Sequence, residues 1–332
     1  MNQYNNYICK KAGSIQELVM SKARREKLKK NYVRIKIYAI GINYIDYLMI
    51  KGDYQYKNNI PFIPGTEACG IIIEDNSNNK KLLNKRVIIN TKSGCFSEEV
   101  VVNVKNIYLF KNNLTSLKAA SFFISALTSY ISLIEIANIK KNQTLIISGA
   151  SGGIGQASIE LAKHKGANVI SIVSNNKKKL ISKKIGANIS IKNDEDIYNL
   201  VMNYTKNKKA DIILDLNGFL KTYNILRCLK WRGKYLIAGF TDNNITTLKT
   251  NYILIKGLQV FGIRAGEYLN KINYKKKNSI LKEVFKLSYK NICTTKEYKT
   301  LSFKNLKKGL ELIKERKSFG KIIIKTKYYK EY

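Results

Sequence analysis

The sequence predicts an α/β protein in two domains. A β-rich part covers residues 1–114 and is completed by the segment 290–332. A doubly wound parallel sheet covers 115–265, and residues 266–332 return to the first part. Three observations carry this. Residues 1–110 hold short runs of strand character, from about residue 115 strands and helices alternate, and a cluster of glycines sits between a strand and a helix near residue 150.

The early strands read as "NYVRIKIYAI", "GIIIED", "KRVIIN", "SEEVVV" and "NIYLF". Next comes "TLIIS", then a helix whose Ile154, Ala157, Ser158, Leu161 and Ala162 line one face and which Gly166 stops. "NVISIV" is the following strand. Then come a helix over 177–185, a short strand over 189–191, a helix over 194–205, the strand "DIILDL" and a helix over 220–229. The strands "KYLIAGF" and "LQVFGI" end the alternation. A helix over 306–314 and the strand "KIIIK" close the chain. Such alternation argues for a parallel sheet with helices on both faces.

Composition bounds the function. The 332 residues are 45% hydrophobic, enough to build real cores. No apolar run approaches the ~20 residues of a membrane span, so no membrane insertion is expected. The start, "MNQYNNYICKKAG", lacks the apolar centre of a signal peptide. The five cysteines are scattered, with no CxxC pair, which points to reduced thiols and a cytoplasmic protein. The net charge of +37 would suit a polyanion, but the lysines are dispersed through every segment. Specific nucleic-acid binding is not expected.

The glycine cluster reads Ala150-Ser151-Gly152-Gly153-Ile154-Gly155, a G-x-G-x-x-G pattern with Ala in first place. It follows a strand and opens a helix, the setting in which the pattern indicates a dinucleotide. Gly152 allows close backbone approach to a pyrophosphate, which would sit on the free amides of the helix start. Gly155 allows the helix to pack tightly on the strand. An NAD site usually places Asp or Glu at the end of the next strand, to accept from the ribose hydroxyl. Here Val173 is followed by Ser174, Asn175, Asn176, Lys177, Lys178 and Lys179, with no carboxylate to repel a 2′-phosphate. A hydroxyl and lysines to hold one make NADPH the expected cofactor.

Several further stretches carry a resemblance: "GINYID", "PGTEACG", "KAASFFISALTSY", "SGASGGIGQ", "KYLIAGF", "NYILIKGLQVFGIRAGEY" and "RKSFGKIII". In order, over about residues 32 to 325, they resemble the zinc-free NADPH:quinone oxidoreductase (zeta-crystallin-like) branch of the medium-chain dehydrogenase/reductases. The resemblance implies a GroES-like catalytic domain, a Rossmann domain and a homodimer. Carried over by motif, it implies that Asn43 and Tyr54 flank nicotinamide and substrate, in the loop that also holds Tyr44, Asp46 and Tyr47. Thr128 would lie behind the nicotinamide ring. Ser151, Gly152, Gly153 and Ile154 would hold the pyrophosphate, and Ser174 and Lys178 the 2′-phosphate. Ile263, Arg264 and Ala265 would approach the nicotinamide, and Arg316 would contact the cofactor. The chain departs from the pattern in "ICKKAGSIQELVM", in a short loop after Glu74, and near Asn193, where the family often has tyrosine.

Zinc-dependent relatives use Cys and Gly-His-Glu where this chain has Asn43 and Thr66-Glu67. The single histidine, His164, sits one turn after Glu160 on a polar helix side, where an i,i+4 pair accounts for it. No catalytic metal is expected. The expected activity is transfer of a hydride from NADPH to a quinone or similar activated acceptor. Two alternatives stand beside it: reduction of an enone or enoyl thioester, and a nucleic-acid-binding protein on a dehydrogenase fold.

Overall fold

The computed structural model describes residues 3–331 except 79, 112, 219–221, 242–244, 246, 296 and 297. It divides into two compact units, Met1–Ile124 with Glu297–Tyr332, and Ser125–Lys296.

The first unit opens with an antiparallel pair, β1 (Gln3–Cys9) and β2 (Leu18–Arg24). There follow β3 (Tyr32–Ile42), helix α1 (Tyr44–Lys51), β4 (Glu67–Asp75), β5 (Arg86–Asn90), β6 (Glu99–Asn103) and β7 (Ile107–Leu109). Helix α2 (Ser116–Tyr130) comes next and widens into a π-type turn over Ile131–Ile136.

In the second unit the order is β8 (Thr144–Ser148), α3 (Gly153–His164), β9 (Asn168–Val173), α4 (Asn176–Ile185), β10 (Ile189–Lys192) and α5 (Ile197–Thr205). It continues with β11 (Ala210–Asp215), α6 (Thr222–Arg227), β12 (Leu229–Ile237), α7 (Thr250–Lys256), β13 (Gln259–Gly262), α8 (Ala265–Lys271) and α9 (Tyr274–Tyr289). The chain then returns to the first unit as β14 (Tyr298–Ser302), α10 (Leu306–Lys314) and β15 (Lys321–Lys325).

The main sheet of the first unit runs β14-β15-β3-β4-β5-β7, antiparallel except for the β14–β15 pair. β3 is its axis: on one edge its first half pairs with β6 and its second half with β15, and β4 lies along the other. Alternate apolar residues fill the core, among them Ile35, Ile37, Ile40, Ile42, Ile72, Val87 and Ile89, with Ile322 and Ile324 supplied by the returning strand. The second unit holds six parallel strands ordered β10-β9-β8-β11-β12-β13. The central strands β8, β9 and β11 are nearly continuous buried apolar runs, as strands covered on both faces are. The order reverses at β8, so the crevice beyond its carboxyl end is where such sheets bind ligands.

The expected architecture of a GroES-like part and a Rossmann part is what the chain forms. The divisions fall at 124/125 and 296/297, where the sequence suggested 114/115 and 265/266. The first lies inside α2, a single helix whose opening turns pack with the first unit. The second comes late because α8 and α9 belong to the second unit, where α9 buries Ile280, Val284 and Leu287. The helix expected over 194–205 starts at Ile197, because the Asp196 carboxylate caps it by accepting from the Asn199 amide. The helix expected from residue 220 is described only from Thr222. The strand expected over 234–240 starts earlier, at Leu229, and ends at Ile237.

One expectation needs correction. Ser116–Ile136 is 21 residues of helix, long and apolar enough to cross a membrane. The sequence reading missed it because scattered serines break the apolar run. Most of it is buried within the protein, as a core helix would be.

Candidate functional site

In the second unit the glycine turn joins β8 to α3. Gly149 has φ +63°, and a β-carbon there would meet Asn217 Oδ1 at 2.5 Å. A β-carbon on Gly155 would lie 2.5 Å from the Gly149 carbonyl oxygen and 2.6 Å from the Ala150 backbone. Only glycine lets α3 start so close to its strand. Gly152 differs: the nearest atom to a β-carbon there is 3.5 Å away, so the protein itself does not require glycine at that position. What Gly152 leaves open is the approach to the helix start, where the first N–H groups have no intrahelical partner. Ser151, Gly153 and Ile154 line this turn, and the buried Gln156 pins it by donating from Nε2 to the Ser151 carbonyl at 3.0 Å. The residues present therefore fit a dinucleotide pyrophosphate.

A buried network supports the turn. Asp215, at the end of β11, accepts from the Ser148 hydroxyl at 2.5 Å, the Tyr235 hydroxyl at 2.7 Å, and the amides of Asn217 and Gly218 at 3.1 Å each. The Ser148 oxygen in turn accepts from the Leu216 amide at 2.9 Å. Sequence reading passed over this set, whose only local signal is an acidic residue ending the apolar strand "DIILDL".

At the end of β9, Ser174 is exposed and Asn175 caps α4, its Oδ1 accepting from the Lys178 amide at 3.0 Å. The Lys178 side chain is half-buried on the first turn of α4. The turn after β10 brings Glu195 to Lys179 Nζ, at 3.1 and 3.3 Å. Lys179 and the Lys192 amide hold that carboxylate below its ordinary range, the amide being the larger influence.

Thr128 is buried on α2, its carbonyl accepting from the Ser132 hydroxyl at 2.7 Å. Ile263 is buried just beyond β13, and the exposed Arg264 caps α8. Both line a cavity of about 280 Å³ with Ile131, Ile136, Glu267 and Tyr268.

In the first unit Asn43 stands at the start of α1 within a buried polar cluster. Its Nδ2 donates to Glu67 Oε2 at 3.1 Å and to the Gly41 carbonyl at 3.2 Å. Its Oδ1 accepts from Lys321 Nζ, which also lies 2.8 Å from Glu67 Oε2. The Lys321 and Glu67 side chains are 5% and 0% exposed. Glu67 Oε1 accepts from the Ile124 amide of α2 at 3.0 Å. Beside them, Asp46 accepts from the Asn43 amide and from the Thr66 hydroxyl, each at 2.8 Å. Burial pushes the Asp46 carboxyl up to about 7, against the pull of those two donors and of Lys321. Sequence reading had Asn43, Asp46 and Glu67 but missed Lys321, although it lies in the quoted stretch "RKSFGKIII".

Tyr54 is not hydrogen-bonded into this cluster. It lines a cavity of about 170 Å³ in the same unit, with Met49, Tyr56, Ile60 and Phe62. Arg316 is exposed just after α10, in a left-handed conformation with φ +54°.

A metal can be tested on these residues. Among the described residues, no three His, Cys, Asp or Glu side chains gather as a metal-binding group. The pocket formed by Asn43 Oδ1 and Glu67 Oε2 holds an ammonium. All five cysteines are free and buried. These residues do not fit a tetrahedral zinc.

Known proteins bear on this chain as follows. Residues 29–112 match the family described as alcohol dehydrogenase GroES-like domain, and 153–283 that described as zinc-binding dehydrogenase. The quinone oxidoreductase-like protein 2 homolog of Nematostella vectensis is 30% identical over 330 residues, covering 98% of this chain and 89% of its own. A segment of polyketide synthase 34 of Dictyostelium discoideum is 28% identical over 334 residues, which is 91% of this chain and 11% of that one. Among solved structures, Escherichia coli quinone oxidoreductase complexed with NADPH superposes with a TM-score of 0.87 at 22% identity, over 97% of this chain and 99% of that one. The two-part fold with its glycine turn is that of a medium-chain dehydrogenase/reductase, and the chain belongs to the quinone oxidoreductase-like family of these oxidoreductases.

Proposed function

We propose that this protein is an NADPH-dependent, metal-independent reductase that delivers a hydride to a quinone or similarly activated small acceptor. The observation that carries the reading is the glycine turn of the second unit, open at Gly152 and closed at Gly155, at the point where strand order reverses. The family of the Nematostella vectensis relative supports it.

When bound, the nicotinamide supplies the hydride, and the protein supplies position. Ser151, Gly152, Gly153 and Ile154 hold the pyrophosphate on backbone amides. Ser174 and Lys178 hold the 2′-phosphate. Thr128, Ile263 and Arg264 bound the nicotinamide, and Arg316 is a further cofactor contact. Asn43 and Tyr54 orient the acceptor. The Asn43–Glu67–Lys321 pocket already carries its own cation, which supports the metal-independent reading.

The partner is a second copy of the chain. β13 is the outer strand of its sheet, and near it Trp231, Leu254 and Ile255 are 65%, 80% and 67% exposed. Nucleic acid is not a partner in this reading. The protein works in the cytoplasm, where its free thiols stay reduced.

A second reading is reduction of an enone or enoyl thioester, favoured by the likeness to a polyketide synthase segment. A stopped-flow screen of NADPH oxidation against quinones, enones and enoyl thioesters tests both. Quinone turnover that survives exhaustive chelation is expected. Turnover confined to enoyl thioesters moves the second reading to the front, and loss of activity together with one equivalent of zinc ends the metal-independent one.

A further inference from the structure

We propose that Lys321 is a positioning residue that fixes the direction of the Asn43 side-chain amide. The inference rests on the reading above, in which Asn43 orients the acceptor. Its basis is the way two opposite charges grip one neutral group. The Lys321 ammonium donates to Asn43 Oδ1, and the Glu67 carboxylate accepts from Asn43 Nδ2 at 3.1 Å. Turning the amide over would set its NH2 against the ammonium and its oxygen against the carboxylate. Both contacts become repulsive, in surroundings where Glu67 is wholly buried and Lys321 nearly so. The amide therefore has one orientation.

The backbone is held as firmly. Asn43 N donates to Asp46, Asp46 accepts from Thr66, and Thr66 adjoins Glu67 at the start of β4. Lys321 begins β15, whose next residue, Ile322, pairs with Ile42 beside Asn43. The ammonium thus reaches the amide from a strand in register with β3, and both ends of the grip stand on sheet rather than loop.

The plain alternative is that Lys321 only neutralises Glu67. Lys321→Met alone cannot separate the two, because it leaves a buried carboxylate without its partner and destabilises the fold. The double variant Lys321→Met/Glu67→Gln removes both charges of the grip, and leaves only the neutral Gly41 carbonyl, at 3.2 Å from Nδ2, to favour one orientation of the Asn43 amide. Its thermal midpoint is expected to return toward wild type, while kcat stays down by about tenfold or more with the KM for NADPH little changed. Lys321→Arg keeps the positive charge and should restore most of kcat.

A readout independent of turnover is the side-chain amide pair of Asn43 in 15N-asparagine-labelled protein, identified by its loss in Asn43→Ser. It should be sharp in wild type and in Lys321→Arg, and broadened in the double variant. If wild type oxidises NADPH with no acceptor, the functional reading falls, and the amide signal still decides positioning. A double variant with wild-type stability and either wild-type kcat or an unchanged amide pair overturns the proposal and leaves Lys321 as the counter-charge of Glu67.

Discussion

The Ser148 hydroxyl donates to Asp215 at 2.5 Å and so ties the end of β8 to the end of β11, the two strands between which the order of the sheet reverses. The glycine turn leaves β8 one residue later, and Asn217, which limits Gly149, leaves β11 two residues later. The crevice is thus braced from beneath by side chains that need not touch a ligand.

Asp215→Ala would remove the carboxylate that accepts from the Ser148 and Tyr235 hydroxyls and from the Asn217 and Gly218 amides. Each buried group left unsatisfied costs about 1–3 kcal/mol, so a loss of several kcal/mol is expected. Ser148→Ala, which removes one donor and leaves the carboxylate the Tyr235 hydroxyl and the two amides, should cost less. Urea unfolding of the two variants checks the order.

The two glycines of the turn should separate folding from binding. Gly155→Ala forces a β-carbon into backbone at 2.5–2.6 Å and should cost about 1–3 kcal/mol or more. Gly152→Ala has room and an ordinary φ of −77°, so its stability should stay within about 0.5 kcal/mol of wild type. It should nevertheless bind NADPH more weakly, by fluorescence titration. Equal stability losses in both variants would contradict this.

Cofactor choice should follow the tail of β9. A charge-assisted contact contributes about 1.5–3 kcal/mol, so Lys178→Ala should weaken NADPH by about tenfold or more and leave NADH nearly unchanged. Ser174→Asp should shift preference toward NADH. Glu195→Gln frees Lys179 from its carboxylate and should tighten NADPH. Titration of both cofactors against the three variants tests the set; a wild type that prefers NADH defeats it.

Asp46 sets a pH dependence with a definite sign. Its carboxyl is raised in the fold, from 3.8 to about 7, so the folded state holds a proton that the unfolded chain has released. The stability this contributes is complete below about 3.8 and is lost as pH rises toward and through about 7. Asp46→Asn keeps the shape without the titration. Its urea midpoints should fall less than those of wild type across that window, and parallel profiles would count against the assignment.

The parts of the fold legible in the sequence are those whose signal is local. The strand, glycine turn and helix over 144–164 are visible from apolar runs and glycine spacing, and α10 and β15 lie where the periodicity puts them. The β1–β2 pair was harder to read: β2, "LVMSKAR", exposes Val19 and Met20 and so lacks a clean alternation. Glu195 escaped notice because its meeting with Lys179 depends on how the turn after β10 folds back. Lys321 was one lysine among many. Its pairing with Glu67 spans 254 residues, a distance at which no pattern of spacing speaks.

That span also governs how the chain can be made. The central strand β3 leaves the ribosome before the second unit, and β15, which completes one of its edges, only after it. All of the second unit emerges between them. The first unit therefore cannot close until the second has been made, and until residue 325 is free the second half of β3 keeps an open edge beside a cluster in which Glu67 lacks Lys321. Such an edge is a template for pairing with another nascent chain. That edge is exposed to such pairing throughout the interval between translation of β3 and translation of β15.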